Sequence, residues 1–330
     1  MKPSTAGGGS RWSRISHKLK WTIIAITAAV VILALGLGLG LGLTLGSSND
    51  SDDTGPTAPP LPATPSNDRI WTPAVGASWQ IILPQPIKLD PLATSISPDV
   101  DIYDIDLFTN PQSTIDTLHR LGKKVICYFS AGSYEPYRPD SGNFKDSDKG
   151  KSLDGWPDEK WLDLRSDNVR NIMSKRLELA AAKKCDAIDP DNVDAFDNKN
   201  GLGLTKLDSV RFMSFLASKA QSLNLAIGLK NAGAIIPSVL PAIQFSVNEQ
   251  CVQYKDCQVF SNFVNASKPV FHIEYPSQVK KDFVTNFCQD TGPAQGAHGF
   301  STVIKNYNLD GWVQYCNGQT ATTQMGETSS

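Results

Sequence analysis

Acidic residues recur in this chain at the ends of short apolar runs, where a folded sheet would bring them to one rim. Asp104 and Asp106 close one run, and Tyr128, Ser130 and Glu135 follow another. Asp189-Pro190-Asp191-Asn192 ends a third, Lys230-Asn231 a fourth, Asn248-Glu249-Gln250 a fifth, and Glu274-Tyr275 a sixth. Carboxyl groups so gathered suit glycosidic bond cleavage, in which one acid protonates the departing oxygen while a second attacks the anomeric carbon or activates water. Asp191 and Glu249 are the expected pair, with Asp191 as nucleophile and Glu249 as acid/base. Asp189 competes with Asp191, because residues two apart share one face of a strand. The turn chemistry of Asp-Pro-Asp-Asn is a sufficient structural reason for that motif by itself. Tyr128, Trp156, Tyr275 and Trp312 offer rings for stacking on sugars, although packing explains any single aromatic equally well.

Other chemistries find less support. The histidines at 17, 119, 272 and 298 are scattered and no C-x-x-C pair occurs, so neither a metal site nor a cofactor is expected. A metal-dependent deacetylase or an esterase with a nucleophile–base pair is therefore disfavoured. No basic stripe marks a nucleic-acid surface. A non-catalytic carbohydrate-binding domain with the same acidic, aromatic groove remains the alternative function.

The elements that must position these residues alternate. Candidate strands are 79–83, 101–108, 124–130, 187–190, 225–230, 245–248, 270–275 and 300–305. Between them, 168–183 and 206–222 carry apolar residues at helical spacing, with Asp167 and Asp208 near their starts. Strand–helix alternation implies a parallel sheet, and eight such units predict an α/β (β/α)8 TIM barrel over 68–330, whose strand C-termini would carry the site. A doubly wound open sheet is the competing arrangement.

Ahead of that domain, the chain divides into a basic tail (1–20), an apolar segment (21–45) and a Ser/Thr/Pro/Asp-rich stalk (46–67). Trp21–Leu45 holds no charged residue; as a helix it would be about 37 Å long, enough to span a hydrocarbon core of about 30 Å. Lys2, Arg11, Arg14, Lys18 and Lys20 precede it, predicting a single-pass anchor with a cytoplasmic N-terminus and an extracellular domain. Cleavage of the segment as a signal would instead release the domain. All six cysteines fall on the exported side, where disulfides form. The simplest pairings are Cys251–Cys257, Cys288–Cys316 and Cys127–Cys185, among fifteen connectivities. Asn265-Ala266-Ser267 is a glycosylation sequon. The sequence sets no oligomeric state.

The stretches YDIDLF (103–108), VICYFSAGSYE (125–135), GWPDEKWLDLRS (155–166), CDAIDPDNVDAF (185–196), AIGLKNA (226–232), VNEQC (247–251) and VFHIEY (270–275) together resemble glycoside hydrolase family 114, the endo-α-1,4-polygalactosaminidases. The resemblance implies a TIM-barrel enzyme that cuts α-1,4-linked galactosamine polymers internally with retention of configuration. It places the catalytic acids in DPDN and VNEQC. Deacetylated galactosamine is cationic, so Asp104, Asp106, Glu135, Asp189 and Glu274 are expected to meet its ammonium groups. Lys230, Asn231, Tyr128 and Tyr275 complete the expected substrate-binding set.

Overall fold

A computed structural model of the chain describes residues 70–276 and 287–327. The expected tail, membrane segment and stalk lie outside the described residues. Among those described, no helix is long and apolar enough to cross a membrane.

The eight expected strands all form. They are β1 (Trp79–Ile82), β2 (Ile102–Asp106), β3 (Lys124–Ser130), β7 (Ala187–Asp191), β8 (Ala226–Lys230), β9 (Phe245–Glu249), β10 (Val270–Glu274) and β11 (Ser301–Ile304). They pair in parallel and in chain order, as strands do when helices return the chain between them. The helices include α1 (Gln112–Arg120), α2 (Asp167–Ala182) and α3 (Lys206–Ser222). The cap of α2 is Ser166, whose hydroxyl accepts from the Val169 amide, and Asp167 opens the first turn. For α3, Thr205 and Asp208 cap each other reciprocally.

The result is a curled, (β/α)8-like sheet. Two antiparallel strands, β12 (Trp312–Tyr315) and β13 (Thr320–Thr322), extend its last edge. Side chains bridge β11 and β1: Trp79 Nε1 donates to Ser301 O at 2.7 Å, and Lys305 Nζ to Gln80 Oε1 at 2.8 Å. A second sheet of β4 (Ser133–Tyr134), β5 (Lys149–Leu153) and β6 (Trp156–Leu162) is inserted between β3 and α2.

Strand alternation separates two cores. Outward residues such as Ile105, Phe129, Ile188 and Leu229 pack with the helices. Inward residues, including Trp79, Ile81, Phe245, Val247 and Phe271, fill the lumen. Gly228 is required there: a Cβ at that position would lie 2.4 Å from the Phe245 ring. The three disulfides are Cys127–Cys185, Cys251–Cys257 and Cys288–Cys316, as the simplest pairing anticipates.

Replacing Gly228 by Ala should overpack the lumen and destabilise the protein by about 1–3 kcal/mol. A lower urea midpoint at unchanged m-value would register it; an unchanged midpoint would show that Phe245 moves aside freely.

Candidate active site

The inward positions change character along the barrel axis. Above the apolar plug comes a buried polar layer of Asp104, Asp189 and Lys230, exposed by 0%, 0% and 2%. Two residues further along β2 and β7, about 6.6 Å at strand rise, Asp106 and Asp191 reach the rim. A cleft of about 830 Å³ opens there, lined among others by Asp106, Tyr128, Asp191, Lys230, Glu249 and Tyr275.

Lys230 organises the floor of this cleft. Its ammonium lies 3.2 Å from Asp191 Oδ2 and 3.4 Å from Glu249 Oε2. A common partner at those distances caps the separation of the two carboxylate oxygens at their sum. Tyr128 OH donates to Asp191 Oδ2 at 3.0 Å, and Tyr275 OH donates to Glu249 Oε1. Asn231 grips Glu249 twice, donating from Nδ2 to Oε2 at 3.1 Å and accepting from the Glu249 amide at 2.8 Å. Burial alone would raise the Glu249 pKa, but Lys230 and the bonds from Tyr275 and Asn231 outweigh it and hold the carboxyl below its ordinary range. Burial likewise opposes the charge on Lys230, yet Asp191, Glu249 and Asp189 keep it firmly protonated. Burial, and then the negative charge of Asp191 or Glu249 beside each ring, keeps Tyr128 and Tyr275 protonated as donors.

The backbone turns sharply after each of these residues. Asn192, Asn231 and Gln250, which follow Asp191, Lys230 and Glu249, all have left-handed φ, at 62°, 47° and 63°. Such conformations cost energy in non-glycine residues and concentrate where a site demands them. Gly132 makes a related close approach possible: both it and Ala131 donate amides to Asp191 O, and a Cβ on Gly132 would lie 1.8 Å from Asn192 O.

Several expected ligands are placed differently. Asp106 and Glu135 line the cleft but are tied to Arg138, which reaches Asp106 Oδ2 at 2.5 Å and Glu135 Oε2 at 2.7 Å. Glu274 is not at the cleft. Its strand parity is opposite to that of Tyr275, and its Oε1 accepts from the Val252 amide at 2.8 Å and lies 2.9 Å from His272 Nε2. Asp104 and Asp189 lie below the cleft, and their four oxygens are buried without a donor. Trp312 belongs to β12, whereas Trp156 is half exposed at the cleft, stacked on Tyr307 at 6.5 Å and 12°. The sequence reading missed Glu159 and Asp194, which also line the cleft. Cys251, Cys257 and His272 lie within metal-ligand reach of one another, but the sulfurs are joined and the imidazole is bonded to Glu274.

The sequence profile of glycoside-hydrolase family GH114 matches residues 61–321. The chain belongs to that family. It is a glycoside hydrolase, and the acid-lined cleft lies where the barrel of such an enzyme carries its chemistry. Among solved structures, Ega3 of Aspergillus fumigatus, in a complex with galactosamine, is 54% identical, covering 74% of this chain and 97% of that one with a TM-score of 0.70. The glycoside hydrolase domain of PelA from Pseudomonas aeruginosa shares the fold at 12% identity, with a TM-score of 0.55 over 70% of this chain and 95% of that one. A segment of human tumor necrosis factor alpha-induced protein 2 is 24% identical over 159 residues; the match spans 46% of this chain and 23% of that protein.

Asp104 and Asp189 are wholly buried, act on each other, and are both held above the ordinary carboxylate range. Burial and then the charge of Asp189 raise Asp104; burial, against Lys230 and with Asp191, pushes Asp189 up to about 7 from 3.8. A raised acid stabilises the fold fully below its unfolded pKa and loses that contribution as pH rises through its folded value. Between pH 4 and pH 8 the wild type should therefore lose more stability than Asp189→Asn, as read by chemical unfolding. Parallel pH curves would contradict a raised Asp189.

Proposed function

We propose that this protein is an endo-acting hydrolase of α-1,4-linked galactosamine polymers, in which Asp191 is the nucleophile and Glu249 the acid/base. The observation that carries the assignment is their common contact with Lys230. Two carboxylate oxygens that share one ammonium contact lie close together, which supports the ~5–5.5 Å spacing of a retaining pair over the roughly 6.5–9.5 Å of an inverting pair. The substrate reading is supported by the galactosamine bound to Ega3, which this chain matches over nearly all of that structure's length.

In this mechanism Asp191 attacks the anomeric carbon as Glu249 protonates the departing glycosidic oxygen. Glycosyl–Asp191 then forms and the polymer fragment leaves with the new hydroxyl. Glu249, now ionised, takes a proton from water, whose oxygen displaces Asp191 and regenerates both carboxyl groups. Lys230 and Tyr128 hold Asp191 in line, while Tyr275 and Asn231 orient Glu249. One observation favours exchanged roles: the depressed pKa of Glu249 suits a nucleophile better than a proton donor.

The uncharged Trp21–Leu45 segment and the basic residues before it support display of this activity outside the cell on a single-pass anchor. The sequon at Asn265 fits the same compartment.

Full-length protein should release short oligosaccharides from deacetylated galactosamine polymer, and Asp191→Asn or Glu249→Gln should lower kcat/KM by about 10²–10⁴-fold. Polymer binding without product by the wild type would replace this reading with the binding-domain alternative. Azide separates the roles on an activated aryl glycoside. Glu249→Ala should give the α-glycosyl azide and Asp191→Ala the β-anomer; the opposite pattern would exchange the two residues.

A further inference from the structure

The acids expected to meet substrate ammonium groups are occupied elsewhere. Asp106 and Glu135 hold Arg138, Asp104 and Asp189 lie beneath the cleft, and Glu274 faces outward. Asp191 and Glu249 share Lys230. Two other carboxyl groups line the cleft without a cationic partner among the described residues: Glu159 on β6 and Asp194 in the turn after β7.

Glu159 is held in place by neutral donors. Its Oε2 accepts from Ser133 Oγ at 2.8 Å, Ser133 Oγ lies 2.7 Å from Ser130 Oγ, and Asn192 Nδ2 donates to Ser130 Oγ at 2.9 Å. This relay ties the hairpin carboxylate to the residue beside Asp191, so its position is built rather than incidental. Both groups feel Asp191, but from different surroundings. Glu159 stands among Glu135, Arg138 and Tyr137, and Asp194 among Lys230 and Glu249. Both therefore stand in the cleft within electrostatic reach of Asp191, in different surroundings.

We propose that Glu159 and Asp194 bind the ammonium groups of two different galactosamine residues of the polymer and make free amines at those positions a requirement for cleavage. Glu159, held by fixed neutral donors, and Asp194, with no ion pair among the described residues, are each completed by a bound cation. The assignment rests on the galactosamine-polymer reading and identifies what selects that substrate. Burial, against the bond from Ser133 and with Glu135 and Asp191, pushes Glu159 up to about 7; burial and then Asp191 push Asp194 up to about 6. Below those values the carboxyls are neutral and bind an ammonium weakly; above them they are charged.

The test uses full-length protein and α-1,4-galactosamine oligomers, fully deacetylated and partly N-acetylated. For wild type, KM on the deacetylated oligomer should fall as pH rises through about 6 and about 7. Glu159→Gln and Asp194→Asn should each raise KM by about 10-fold or more with a smaller change in kcat, and flatten that pH dependence. Mass spectra of products from partly acetylated oligomers should show each variant tolerating an acetylated residue at one position, different for the two. Hydrolysis by wild type with a pH-independent KM would overturn the proposal and leave the enzyme's substrate standing. So would variants that match wild type in KM and acetylation pattern. Inactivity of wild type on the deacetylated oligomer would overturn both.

Discussion

A lysine ammonium buried between two carboxylates is the constraint on which this site depends. Lys230 is almost wholly removed from water, and the desolvation of its charge is offset by Asp191 and Glu249 at 3.2 and 3.4 Å. The same cation brings together two acids that would otherwise repel. From below, Asp189 adds its negative charge to the groups that hold Lys230 protonated. The barrel interior thus passes from an apolar plug, through a buried acid pair and a buried cation, to an acidic rim.

Much of this was legible because barrel strands announce themselves. Short apolar runs bounded by polar clusters marked all eight, and the residues at their ends converge on one cleft. The errors have definite causes. Glu274 was placed at the rim although Phe271, Ile273 and Tyr275 alternate with it, so strand parity alone could have turned it outward. Asp189 and Asp191 share a face, and only depth separates a buried acid from a cleft-lining one. Glu159 escaped notice because the first five residues of β6 are largely exposed, which leaves no hydrophobic pattern to reveal a strand. Arg138 withdrew Asp106 and Glu135 from the substrate through contacts that no local spacing encodes.

The inserted hairpin gives a common barrel a particular selectivity. The strands and their left-handed exits position Asp191 and Glu249, the proposed catalytic acids, which suit any glycosidic bond presented in the right orientation. Above the floor the cleft is lined by Glu159 and Trp156 on the hairpin, Asp194 beyond β7 and Tyr307 after β11, and the proposal gives Glu159 and Asp194 the choice of substrate. In this arrangement the chemistry resides on rigid strands and discrimination on the segments between them.

On the proposed mechanism, Asp191 and Glu249, held against one ammonium, act by direct attack on the sugar rather than through a water placed between base and substrate. Proton NMR of the first product formed from a deacetylated galactosamine oligomer tests this directly, before mutarotation mixes the anomers. The account predicts that the new reducing end appears as the α-anomer. Initial release of the β-anomer would show inversion and contradict it.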